Sequence, residues 1–161
     1  MISWQGFIGR CLIMKSKLAL VIACVLPFSA MANQQYGDWV FDDGLKSYVS
    51  KEIVYGMASG LIKPYENKEM QFGVYINYET CHVKEGVPEP FGAIMVVGDY
   101  HEFKVQCLGK NKAVIFPADP MVSEKILDTM ITSGNVCLSD SSAKLCFSGN
   151  GVKDVVAKVK S

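Results

Sequence analysis

Four cysteines, Cys81, Cys107, Cys137 and Cys146, follow an apolar leader, and that combination constrains the fold more than any other feature. Lys15 and Lys17 form a positive n-region, residues 18–28 an apolar h-region, and Ala30-Met31-Ala32 a small-x-small cleavage signal before Asn33. The pattern predicts that residues 1–32 are a signal peptide and that residues 33–161 form one globular domain. It also places that domain in the periplasm or outside the cell. A retained membrane span is the weaker reading, because the 15 residues 18–32 include Pro27 and a span needs roughly 20. Val21-Ile22-Ala23-Cys24 superficially resembles a lipoprotein site, but Cys24 lies only seven positions after Lys17. Met14 opens a compact Met14-Lys15-Ser16-Lys17 start and is an alternative initiator.

Cys11 and Cys24 leave with the leader, so an even number of cysteines enters an oxidising compartment. Two disulfides are expected there. Of the three possible connectivities, Cys137–Cys146 and Cys81–Cys107 are favoured. The first pair brackets a stretch that reads as a hairpin with its turn at Ser141-Ser142, which sets the two cysteines opposite each other. The second would staple two strands separated by a Pro/Gly-rich loop. Cys-x-x-C is missing, which argues against a thioredoxin-like centre. Zinc would have only His82 and His101 to add to the thiols, and adjacent Cys81-His82 point to opposite faces of a strand. No cofactor or metal is expected.

Charge narrows the partner. Residues 33–161 carry 13 basic against 16 acidic side chains and no arginine. Phosphate and base recognition lean on arginine forks, so such a domain is a poor binder of nucleic acid or anionic membranes. No membrane span is expected after cleavage.

Periodicity then places the elements. Tyr36 to Phe41 read as a short aromatic strand, with a turn at Asp42-Asp43-Gly44. Residues 45–58 lean towards strand. Phe72, Val74, Ile76 and Tyr78 alternate with Gln71, Tyr75, Asn77 and Glu79, the mark of a half-buried strand. Residues 84–90 read as a loop, residues 93–97 as a central strand and Gly98-Asp99 as a turn. Phe103, Val105 and Cys107 face inward and Glu102, Lys104 and Gln106 outward. Residues 113–116 form another strand. Asp119-Pro120 opens an amphipathic helix of about three turns through Val122, Ile126, Leu127, Met130 and Ile131, closed by Gly134, with Ser123 a rival cap. After the cysteine hairpin, Val152, Val155, Val156 and Val159 make a C-terminal helix. The fold class is therefore mainly β (α+β): an antiparallel sheet or sandwich-like domain, disulfide-stapled, with two short helices near its end.

Chemistry has few candidates. There is no Gly-x-Ser-x-Gly, phosphate-binding loop or His-Glu-x-x-His. His82 and His101 lack a nucleophile at motif spacing. Asp38, Asp42 and Asp43 suit a turn better than a calcium loop. Ser139 to Ser142 reads as a solvated hairpin tip. Partner contacts are expected at Tyr55 and Tyr75, as outward tyrosines, and at Pro88, Glu89 and Pro90 in the loop.

Three features together resemble the invasion-associated locus B family of small exported proteins of Gram-negative bacteria. They are the opening Tyr36-Gly37-Asp38-Trp39, the helix preceding the Cys137/Cys146 hairpin, and Phe147-Ser148-Gly149-Asn150-Gly151 leading into the last helix. This chain lacks the cysteine that such proteins often carry soon after the tryptophan. The resemblance implies a compact disulfide-linked β-sandwich with an envelope or host-interaction role and no catalytic residues. The expected function is non-enzymatic binding of an envelope protein. The alternatives are an inhibitor or immunity protein that plugs a cell-wall hydrolase or toxin through residues 84–90, and an accessory subunit of a secretion or conjugation system.

Overall fold

The computed structural model describes residues 34–79, 81, 84 and 86–161. The leader, His82, Val83 and Glu85 lie outside the described residues. Strands make up 48% of the described residues, and every strand pair is antiparallel. The elements are β1 (Gln35–Tyr36), β2 (Trp39–Asp42), β3 (Ser47–Lys51), β4 (Ala58–Pro64), β5 (Met70–Asn77), β6 (Glu89–Val96), β7 (Asp99–Cys107) and β8 (Lys112–Pro117). They are followed by α1 (Pro120–Ser133), β9 (Asn135–Ser139), β10 (Lys144–Ser148) and α2 (Val152–Lys160). The strands form one sheet in the order β1-β2-β3-β4-β5-β8-β7-β6-β9-β10.

The sheet rolls until its end meets its beginning. On β10, the Cys146 carbonyl accepts from Ile53 N–H at 2.9 Å, just past β3. The Trp39 indole N–H donates to the Ser148 carbonyl at 3.0 Å. The rolled inner face encloses the core as a sandwich's two inner faces do. Trp39, Ile62, Phe72, Phe103, Phe147, Ile126 and Met130 are all buried to within 1% of full occlusion. Both helices pack into that core, α1 through Val122, Ile126, Leu127 and Met130 and α2 through Val152 and Val155.

The expected mainly-β class, the two late helices and both disulfides are present, Cys81–Cys107 and Cys137–Cys146. Cys137 and Cys146 are direct cross-strand partners, as the hairpin spacing required. Asp119 caps α1 by accepting from Met121 N–H at 2.9 Å, and the Gly134 N–H closes the helix on the Met130 carbonyl. Between these two caps the helix runs 14 residues, nearly four turns rather than about three, and Ser123, the rival cap, is buried inside it.

Four local expectations are corrected. Tyr36 to Phe41 is a hairpin rather than a strand: the chain reverses at Gly37 and Asp38, and Gly37 sits at φ 56°. The strand lean over residues 45–58 holds for β3 and for Ala58, which begins β4; residues 53–57 form a loop. Residues 84–90 are not all loop, because Glu89 and Pro90 begin β6. That strand pairs with β9 only at Met95 and Val96, so it is central at one end alone; Pro90, in register with Lys104 of β7 and next to a bulge, lies where β6 has no β9 partner, an edge position that tolerates proline. Finally, β4 falls where no strand was expected, over Ala-Ser-Gly-Leu-Ile-Lys-Pro. Its Gly60 weakens the β signal but is required by packing: a Cβ there would lie 2.8 Å from the Phe147 ring and 3.1 Å from the Trp39 ring.

Candidate interaction surfaces

The two motifs at the chain ends meet. The Asp38 carboxylate accepts from the Ser148 hydroxyl at 2.6 Å and from the Asn150 side-chain amide at 3.3 Å. The Asp38 N–H donates to the Asn150 carbonyl at 3.1 Å. The backbones press so closely that a Cβ on Gly37 would lie 2.6 Å from the Asn150 carbonyl oxygen. Tyr36-Gly37-Asp38-Trp39 and Phe147 to Gly151 are therefore two halves of the seam that closes the rolled sheet. Asp42 accepts from Leu45 N–H within its turn, and Asp43 pairs with Lys46 at 3.4 Å. Asp140 accepts from Ser142 and Ala143 N–H groups at the hairpin tip, and the Ser142 bonds hold its carboxyl below the usual range. These aspartates are turn and seam builders. Among the described residues, no group of three or more His, Cys, Asp or Glu is arranged to hold a metal, and no helix is long and apolar enough to cross a membrane.

Glu52 completes the seam. It follows β3 and is buried, 3% exposed. One carboxylate oxygen accepts from Val54 N–H at 2.8 Å and from Cys146 N–H at 3.1 Å. The other accepts from Gly56 N–H at 2.8 Å and from Tyr55 N–H. The side chain thus stands where a neighbouring strand's carbonyl would pair with β10. Burial pushes this carboxyl up, but the N–H donors of Cys146, Tyr55, Val54 and Gly56 outweigh it, and the group is held below its ordinary range. The same clamp fixes the β3–β4 hairpin tip, which turns Ile53, Val54, Tyr55 and Met57 outward. Their exposures run from 54% to 72%.

The second surface is the outer sheet face, opposite the helices. Leu61 on β4, Gly73 on β5 and Val114 and Phe116 on β8 floor a groove of about 420 Å³. Gly73 keeps the floor low: a Cβ there would lie 3.0 Å from the Val114 side chain. The Gly44–Leu45 turn forms one rim; Gly86 and Leu108, beside the Cys81–Cys107 bridge, form the other. Polar groups line it sparsely. The Tyr65 hydroxyl donates to Gln71 at 2.7 Å, Lys63 sits 5.7 Å from the Tyr65 ring centre, and the Gln106 amide reaches the Gly86 carbonyl at 3.4 Å. Burial raises the Tyr65 hydroxyl's pKa.

The expected contact residues divide between these surfaces. Tyr75 lies on the outer face two residues beyond Gly73, in register with Val114 and Ser59. Pro88 is exposed two residues beyond the Gly86 rim, and Glu89 and Pro90 are exposed at the start of β6. Tyr55 stands apart on the clamped tip. His101 is half-buried on β7, and its Nε2 bonds to no described residue; His82 lies outside the described residues. Glu52 and Gly73 escaped the sequence reading. A single acidic residue at the end of a β-rich run, four positions before a glycine, was the only trace of the clamp.

No family model, curated protein or solved structure matches this chain.

Proposed function

We propose that this chain is a non-enzymatic exported binding protein of the bacterial envelope, periplasmic or secreted, that holds a segment of a protein partner in the outer-face groove. The groove's chemistry carries this reading. Its floor is apolar, its rim offers the Gln71 and Gln106 amides and the Tyr65 hydroxyl, and Lys63 is the one charged side chain among its described lining residues. A peptide segment matches that pattern, with a side chain on the floor and main-chain groups facing the amides. A phosphorylated ligand does not, since it would find one lysine and no arginine fork. Tyr75 and Pro88 extend the contact area to either side.

Export is supported by the leader and by two disulfides, which persist in oxidising compartments. The locus B-like motifs are consistent with an envelope role. The test is in-cell crosslinking from a photoreactive residue placed at Gln71 or Leu108, with Lys153 on α2 as the control position. A discrete protein adduct from the groove positions and none from Lys153 is expected. Absence of any groove adduct, or an enzymatic turnover abolished by His101→Ala, would overturn the reading.

A further inference from the structure

We infer that the β3–β4 hairpin tip, residues 53–57, is a lipid-insertion loop that seats the protein on a zwitterionic phospholipid surface. Four large apolar side chains project from one five-residue turn, with Ile53 55%, Val54 54%, Tyr55 63% and Met57 72% exposed. Residues 53–60 carry no charge. Monomeric proteins seldom display such a run without a use for it.

The backbone suits insertion of side chains at the membrane interface. Unpaired N–H groups resist entry to lipid, which offers no acceptor. Four of the five N–H groups of residues 53–57 are already paired within the protein, while the Met57 N–H and the tip carbonyls are left for water at headgroup depth, so the side chains and not the backbone enter the acyl region. Ile53 donates to the Cys146 carbonyl, and Val54, Tyr55 and Gly56 donate to the Glu52 carboxylate. The carboxylate that satisfies them is itself buried, so its charge stays out of the lipid. An ordinary turn would leave these groups to water and would have to strip that water on insertion.

Size and chemistry agree. A stable protein interface engages roughly 20–30 residues a side, far more than this tip can present. Tyr55 has the amphipathic ring that favours a membrane–water interface, and exposed Lys51 beside the tip can place its ammonium among headgroups. The net negative charge of residues 33–161 opposes anionic lipid, so attachment should rest on apolar insertion and vary little with salt.

The test uses the protein with vesicles of phosphatidylcholine and phosphatidylethanolamine. Tyr55→Trp fluorescence should be quenched by brominated acyl chains while buried Trp39 is not. The Val54→Ser/Met57→Ser double variant should lower the partition coefficient roughly 30–100-fold, with an unchanged melting temperature showing that the fold is intact. No partitioning at millimolar lipid, equal quenching of Trp39 alone and of Tyr55→Trp, or an unaltered partition coefficient in the double variant would overturn the inference. So would a photoreactive residue at position 55 that captures a protein rather than lipid. The groove crosslinks from Gln71 are independent of all these outcomes.

Discussion

Replacing Glu52 with glutamine changes almost no volume but removes half of the clamp's acceptors. The two carboxylate oxygens serve four N–H donors, two each. Glutamine keeps one oxygen, so in either orientation an NH2 group faces two donors. If the oxygen stays towards Val54 and Cys146, the Tyr55 and Gly56 N–H groups are released and the tip loosens. If it turns, the buried Cys146 N–H on β10 is orphaned. Hydrogen bonds to a charged group contribute roughly 1.5–3 kcal/mol each. Because released tip donors regain water, the lower end applies, and Glu52→Gln should cost about 3 kcal/mol, lowering the melting temperature by about 12 °C. Thermal unfolding followed by the fluorescence of Trp39, the only tryptophan after residue 32, reads this directly.

Acid supplies the matching check. The folded-state pKa of Glu52 is lowered, so its contribution is complete above the ordinary glutamate value of 4.5 and is lost as pH falls through the lower folded value. A protonated Glu52 has the same acceptor shortage as glutamine. The wild-type advantage over Glu52→Gln should therefore be constant near neutrality and shrink below about pH 4.5. A melting difference under about 3 °C at pH 7, or one that grows in acid, would refute the clamp.

Other perturbations probe separate parts of the fold. Gly60→Ala should cost about 1–3 kcal/mol by overpacking against Phe147 and Trp39, read as a shift in urea midpoint. Removing the Cys137–Cys146 link by a double serine substitution should cost about 2.5 kcal/mol, and removing Cys81–Cys107 about 3.5 kcal/mol, because the second closes the longer loop, a difference visible in parallel melts. Ser148→Ala should cost about 1–2 kcal/mol by releasing Asp38 at the seam, and hydrogen exchange should quicken at Asp38 N–H while amides of α1 stay protected.

Much of this architecture was legible because its signals were local. Asp119-Pro120 and Gly134 bound α1 by cap chemistry alone, and the eight residues between Cys137 and Cys146 fixed a hairpin that puts the two sulfurs opposite. Elsewhere a distant contact overrules local preference. Gly60 looks like a strand breaker until the Phe147 and Trp39 rings are known to lie against it. Residues 53–55 look like strand because Ile, Val and Tyr favour strands, but the Glu52 carboxylate captures the N–H groups that a strand would have offered to a neighbour. The end motifs are visible as words in the sequence, yet their meaning lies in meeting each other across more than 100 residues, which a linear order does not reveal. The groove was invisible for a similar reason, because its floor depends on β4, β5 and β8 becoming neighbours.

We propose that the protein is exported, loses its leader and carries both disulfides in its working form. Intact-mass measurement of the protein from its native cells, after alkylation of free thiols, tests that most directly. The expected species is a chain beginning at Asn33, with Cys81, Cys107, Cys137 and Cys146 all unalkylated until reductant is added. A chain that retains residues 1–32 and carries alkylated thiols at all four positions would contradict it.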